Sequence, residues 1–196
     1  MAAILVYAEL SEGKLASTSL ELMSKARELG DVYALALGSG AKDAAATLGK
    51  HGAKVVHVNE DAAFDDYIAE PATEAIASLY EKEKPDLILF GFTSDSREVA
   101  GRLSARLGVG LISNASDVTA NGGGFVARVP YFGGAKVASM RANGKPAIVL
   151  VRPKSFEASE KGGAAEVKEL DVALDEGGGK TFRAKLSVSF KYEGGD

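Results

Sequence analysis

Between Lys84 and Asn114 the chain reads KPDLILFGFTSDSREVAGRLSARLGVGLISN, and no other stretch restricts the fold as much. Leu87-Ile88-Leu89-Phe90 is a continuous apolar run bounded by Pro85-Asp86 and Gly91, the pattern of a strand covered on both faces. Phe92 to Asp95 makes the turn, with Asp95 placed to cap the next helix and Glu98 three residues on completing a capping box. From Arg97 to Leu107 the apolar positions Val99, Ala100, Leu103 and Leu107 recur at helical spacing. Glu98, Arg102 and Arg106 line another face, the acid N-terminal to the bases as the helix dipole prefers. Gly108 ends the helix and Val109 to Ile112 begins another strand. A strand–helix–strand unit with short connections is a right-handed parallel crossover.

The preceding residues repeat that rhythm. Ala3–Ala8, Val32–Leu37 and Lys54–Val58 read as strands. Ser17–Leu29 (Leu20, Met23 and Ala26-Arg27 at helical spacing, Gly30 as stop), Lys42–Lys50 and Asp65–Lys84 (Ile68, Ala75, Ile76, Leu79) read as helices. The alternation predicts an α/β fold, a three-layer doubly wound parallel sheet of Rossmann-like topology, with its ligand crevice at the carboxyl ends of the strands. After Asn114 the pattern changes. Asp117–Thr119, Gly124–Pro130, Ala135–Arg141 and Ala147–Val151 are strand-like pieces, broken by the hairpin signals Asn121-Gly122-Gly123 and Asn143-Gly144. They read as antiparallel strands extending the sheet. Phe156–Lys161 is polar and Gly162-Gly163 reads as a linker. Val167–Leu174 and Thr181–Tyr192 then alternate like edge strands or a hairpin across Gly177–Gly179. Residues 1–155 are accordingly expected to form one α/β domain, with 156–196 a polar segment and edge strands of the same domain.

Composition removes several functions. At 196 residues and 20.3 kDa, one domain is expected, burying ~70% of its unfolded surface. A net charge of −4 argues against a non-specific nucleic-acid binder. The absence of cysteine excludes disulfides, thiol chemistry and Cys-based metal or iron–sulfur sites. No apolar run approaches the ~20 residues of a membrane span, so membrane insertion is not expected. Met1 is followed almost at once by the first strand, so no signal or transit segment is visible and a cytoplasmic location is the default.

Few residues suggest chemistry. Gly38-Ser39-Gly40-Ala41-Lys42-Asp43 has the strand-to-helix setting of a dinucleotide-binding turn, but Asp43 replaces its third glycine. A tight structural turn is the simpler reading. The first turn, Ala8–Gly13, carries Glu9 and Glu12 and no phosphate cradle. His51 and His57 are the only histidines; they make no metal site, and His57, inside Val55–Val58, reads as a partnered strand histidine. No catalytic or metal-binding residues are assigned, and no bond-making chemistry is expected. Arg97 is different, because the first turn of a helix disfavours a cation. Either an anionic partner answers it or its head lies in water. Arg128 and Tyr131 form a second polar–aromatic group of the kind found at interfaces.

The strand ending in Phe92-Thr93-Ser94, followed by Ser96-Arg97-Glu98-Val99-Ala100-Gly101-Arg102-Leu103-Ser104-Ala105-Arg106-Leu107-Gly108, resembles the N-terminal domain of electron-transfer flavoprotein alpha subunits. Arg128-Val129-Pro130-Tyr131-Phe132-Gly133-Gly134-Ala135 and Val151-Arg152-Pro153 resemble the same family. The family usually has Gly-Arg-Asp at Ser96-Arg97-Glu98 and Asn at Gly134. The likeness runs to about residue 155; the Ser-Gly-Gly-Arg-Gly turn that opens the family's FAD-binding C-terminal domain does not occur, so that domain is expected to be absent. The resemblance implies an adenine-nucleotide-hydrolase-like fold and a heterodimer with a beta subunit. That heterodimer would carry electrons from flavin dehydrogenases toward the respiratory chain. It also implies FAD in the complete heterodimer but not on this chain alone, which would be a scaffold and interaction domain with Arg97, Arg128 and Tyr131 at interfaces. The alternative is a free-standing adenine-nucleotide-binding domain, resting on the Gly38–Asp43 turn.

Overall fold

Alternate residues of the central strands serve two separate cores, one on each side of a single sheet. The computed structural model describes residues 1–67 and 69–172. In chain order it contains β1 (Ala2–Tyr7), the short pair β2 (Leu10–Ser11) and β3 (Lys14–Leu15), α1 (Ser17–Leu29), β4 (Gly30–Leu37), α2 (Ala41–Lys50) and β5 (Val55–Asn59). Then come α3 (Ala63–Asp66), α4 (Glu70–Glu83), β6 (Leu87–Gly91), α5 (Ser94–Leu107), β7 (Leu111–Ala115), β8 (Asp117–Asn121), β9 (Gly124–Tyr131), β10 (Lys136–Arg141), β11 (Ala147–Val151) and β12 (Glu166–Glu169).

Seven strands form a parallel sheet in the order β12-β5-β4-β1-β6-β11-β7. Ile4, Val6, Leu87, Leu89 and Val149 face a core made with Leu22, Met23 and Ala26 of α1 and Ala44, Ala45 and Leu48 of α2. Leu5, Ile88, Phe90, Ile148 and Leu150 face the opposite core, built with Ala75, Ile76 and Leu79 of α4 and Val99, Ala100 and Leu103 of α5. Strands β6 and β11 are buried along their whole lengths, which explains their unbroken apolar sequences. The predicted α/β architecture of helix, parallel sheet and helix layers is what the chain adopts.

Several details differ from the sequence reading. The β6–α5–β7 crossover is parallel, but β7 does not pair with β6: β11 lies between them, hydrogen-bonded to both. Ala147–Val151 therefore belongs to the main sheet, and Asn143-Gly144 connects two sheets rather than closing a hairpin. The antiparallel strands β8, β9 and β10 form a separate three-stranded sheet, not an extension of the first. Its inner face (Val118, Phe125, Ala127, Val129) packs on the same core as α1 and α2. The Asn121–Gly124 turn is a hairpin, with Gly122 and Gly123 both at positive φ.

The predicted helix over Asp65–Lys84 is two helices. Tyr67 is extended (φ −129°, ψ 121°) and Pro71 lies in the first turn of α4, where its missing N–H is harmless. Thr93, not Asp95, caps α5: its backbone is extended and its Oγ1 accepts from Ser96 N at 3.1 Å. Asp95 falls inside the first helical turn, so Glu98 closes no capping box; it pairs instead with Arg102 at 3.4 Å. The edge strand expected near Val167 is β12, running parallel to β5. Ile68, the segment Thr181–Tyr192 and the Gly177–Gly179 break lie outside the described residues.

Candidate functional site

From β1 the chain winds outward through β4 and β5, then restarts at β6 on the other side of β1. The crevice at the carboxyl ends of β1 and β6 is where such sheets take ligands. Here the chain's own side chains converge in it. Glu9, just beyond β1, accepts hydrogen bonds on Oε2 from Thr93 Oγ1 and Ser96 Oγ, each at 2.6 Å. Thr93 and Ser96 belong to the cap and first turn of α5, so a carboxylate of this chain stands at the helix end that favours anions. Ser19 Oγ of α1 donates to the Glu9 carbonyl at 3.3 Å, and a Cβ on Gly91 would lie 3.1 Å from Thr18 Cγ2. Tyr7, at the end of β1, sets its ring 5.5 Å from that of Phe90, tilted by 45°. Burial, with the Glu9 and Asp95 charges adding to it, holds its phenol well above the usual range.

The second candidate turn, Gly38 to Asp43, is similarly engaged. Gly38 and Gly40 take positive φ (89° and 83°), so the glycines serve the turn itself. A Cβ on Gly40 would sit 2.4 Å from the carbonyl of Gly13, in the β2–β3 turn. Ser39 N donates to both carboxylate oxygens of Asp65 at 3.1 Å, and Ser39 Oγ donates to Oδ2 at 2.7 Å. Lys42 N donates to Glu60 Oε1 at 3.1 Å. The amides that a phosphate would need at the start of α2 thus already have carboxylate acceptors. In sequence Glu9 is an acid of the first turn and Asp65 and Glu60 are scattered acids; nothing local marks a carboxylate that caps a turn 18 to 87 residues away.

Arg97 is exposed and folds back on its own turn. Its Nε donates to Thr93 O at 3.1 Å and its guanidinium carbon lies 5.1 Å from the Phe92 ring centroid. Among the described residues it makes no ion pair. Arg128 and Tyr131 share β9, but strand alternation places them on opposite faces. Arg128 is exposed on the outer face, opposite Asp117 and Ser139. Tyr131 lies on the inner face where the sheet overhangs the body, its OH donating to Met140 Sδ at 3.4 Å. Met140 (38% exposed) shares that inner face, Phe132 (81%) follows in the turn and Val137 (47%), opposite Pro130, lies on the outer face, so the hairpin end exposes apolar surface on both sides. The sequence reading picked out Tyr131 but not these neighbours, because strand spacing alone does not show which end of a hairpin overhangs.

His51 is buried, its Nδ1 donating to Thr47 O at 2.9 Å. His57 is not the partnered histidine the sequence suggested: its Nε2 is buried without a hydrogen bond among the described residues, 3.8 Å from Glu83 Oε1. Desolvation lowers its pKa below the usual imidazole value, Glu83 offsetting part of the effect. No group of three or more His, Asp or Glu side chains suited to a metal exists among the described residues. Nor is any helix there long and apolar enough to cross a membrane.

These features define a class: a Rossmann-like α/β domain whose switch-point crevice is bridged by its own carboxylate and which carries an appended antiparallel sheet. Residues 4–175 match the model of the electron transfer flavoprotein domain, and the chain belongs to the electron transfer flavoprotein family. It is 36% identical over 174 residues to the electron transfer flavoprotein subunit alpha of Mycobacterium tuberculosis, covering 88% of this chain and 54% of that protein. It is 28% identical to the corresponding subunit of Bacillus subtilis over 87% of this chain and 54% of the relative. It is also 32% identical to a subunit of the lactate dehydrogenase (NAD(+),ferredoxin) of Acetobacterium woodii, over 81% of this chain and 40% of the relative. The chain spans about half the length of the alpha subunits it matches.

Proposed function

We propose that this chain is the N-terminal scaffold and interaction domain of an electron-transfer flavoprotein alpha subunit, residues 1–155 forming its α/β body and 156–196 a polar segment and edge strands of the same domain. In this reading it pairs with a beta subunit in the cytoplasm. The complete heterodimer passes electrons from flavin dehydrogenases toward the respiratory chain, and its FAD is held chiefly by other parts of the complex. The chain itself performs no bond-making chemistry. The observation that carries the reading is the alpha-subunit similarity along 88% of the chain, joined to a crevice in which Glu9 already takes the donors of α5.

The overhanging hairpin supports the interaction role. Tyr131, Phe132, Val137 and Met140 expose aromatic, aliphatic and thioether surface of the kind that enriches protein interfaces. Arg97 and Arg128 are exposed cations without ion pairs among the described residues, suited to carboxylates of a partner. Co-purification of this chain with a tagged beta subunit tests the reading. A stable complex that is lost when Tyr131 and Phe132 are both changed to Ser agrees with it; no complex with a folded beta subunit refutes it. The alternative, a free-standing adenine-nucleotide binder, has to contend with Asp65 on the Ser39 amide and hydroxyl.

A further inference from the structure

Glu21 lies in the second turn of α1 and is 92% buried, leaving 8% of its surface exposed, yet its Oε2 has no hydrogen-bond partner among the described residues. A buried carboxylate oxygen without a donor is costly, and native structures rarely leave one unexplained. The usual remedy on a helix is a base four residues later. Lys25 stands there, but its Nζ is committed elsewhere, to Glu28 at 3.0 Å and Asp117 at 3.1 Å. Glu21 lines a cleft of about 550 Å³ between α1 and the segment following β11, together with Leu20, Lys154, Phe156 and Glu157. That segment is fixed to α1: Ser159 N donates to Ser24 Oγ at 2.9 Å, and Arg27 donates to Ser159 O at 3.0 Å and to its Oγ at 2.8 Å. The cleft is therefore a formed feature of the fold.

We infer that this cleft is a binding site for a guanidinium group. The buried carboxylate supplies the charge, and Glu157 adds a second acid to the walls against the one base, Lys154. A phosphate or carboxylate in the cleft would stand beside the Glu21 and Glu157 carboxylates, and like charge opposes it. Guanidinium suits the walls better than ammonium, because its paired N–H groups match a carboxylate and its plane can lie against Phe156. The Phe156 ring already accepts one cation, with Lys25 Nζ 5.3 Å from its centroid.

The test is a titration of the full isotope-labelled chain with butylguanidinium, followed by amide chemical shifts. Saturable shifts confined to residues 17–25 and 154–158 are expected, at least tenfold weaker in Glu21→Gln and weaker again with butylammonium. A thermal melt of Glu21→Gln checks that the variant is folded. The same titration with an acetylated, amidated Gly-Arg-Gly peptide separates the sources: clearly tighter binding assigns the cleft to a protein side chain, equal binding to a small molecule. Either supports a guanidinium site. Absence of saturable shifts, or shifts unchanged in Glu21→Gln, overturns it. Binding that appears only in Lys154→Met also overturns it, since Lys154 would then be the counter-ion of Glu21.

Discussion

Glu9 and Ser96 stand 87 residues apart in sequence, yet the Ser96 hydroxyl donates to Glu9 Oε2 at 2.6 Å. Thr93 donates to the same oxygen, so one carboxylate ties the end of β1 to the start of α5 across the switch point. Hydrogen bonds to a charged acceptor are worth about 1.5–3 kcal/mol, and unpaired hydroxyls would remain after its removal. Glu9→Ala is expected to destabilise the fold by about 1–3 kcal/mol, with Glu9→Gln losing less. Urea unfolding measures both. An unchanged midpoint for Glu9→Ala would show that the bridge contributes nothing.

The parent chain is expected to bind AMP weakly or not at all. The Ser39 amide and hydroxyl donate to Asp65, and a phosphate would have to displace that carboxylate against like charge. Calorimetry decides. A dissociation constant in the low micromolar range, abolished by Gly40→Val, would contradict the assignment of this turn.

Gly30 opens β4 beside β1, and a Cβ there would fall 2.1 Å from the Ala2 carbonyl oxygen. Its φ of 172° is open to any residue, so the constraint is space alone. Gly30→Ala must push two hydrogen-bonded strands apart and is expected to cost about 1–3 kcal/mol, as other overpacking substitutions do. The measurement is a denaturation midpoint; a gain in stability would mean the β1–β4 start relaxes freely.

His57 gives the fold a sensitivity to mild acid. Its folded pKa lies below the unfolded value near 6.5, so under that pH the unfolded chain takes up a proton that the folded chain does not. The stability is complete above the ordinary imidazole range and is lost as pH falls toward the folded value, by at most about 1.4 kcal/mol per pH unit. Glu83 and Glu166 oppose the shift, while Lys168 and Lys82 add to it. In His57→Gln the loss between pH 7 and pH 5, two values spanning the imidazole range, should shrink. Parallel curves for the parent and the variant would remove His57 from the account.

Arg97→Ala is expected to leave the melting temperature nearly unchanged. The side chain is exposed and its local partners are one carbonyl and one ring face, while removing a cation from a first turn relieves a few tenths of a kcal/mol. If Arg97 meets a carboxylate of the beta subunit, the same change should weaken association by ~2–5 kcal/mol, mostly through faster dissociation. A binding assay beside the melt separates the two effects. A large drop in melting temperature would make Arg97 structural.

Much of the fold was legible because it is written in local patterns. The apolar run Leu87–Phe90 and the spacing of Val99, Ala100 and Leu103 give β6 and α5 directly. What local patterns do not carry is the neighbour of each strand. Ala147–Val151 looks alike whether it joins an antiparallel sheet or enters a parallel one, and only tertiary packing puts it between β6 and β7. The cap at Thr93 was missed because Asp95 offered an equally good side chain two residues on, and backbone geometry decided between them. The carboxylate bridges were illegible for the same reason as the strand order: each joins residues far apart in sequence.

The late position of β11 also bears on how the protein is made. Among the described residues Leu111–Ala115 pairs in the main sheet only with Ala147–Val151, so the β6–β11–β7 part of that sheet cannot close until the chain has been synthesised past Val151. A nascent chain that stalls earlier presents the unpaired edges of β6 and β7, and β6 bears side chains meant for full burial. The thirty or so residues between β7 and β11 thus set an interval during synthesis in which apolar strand edges stand unpaired.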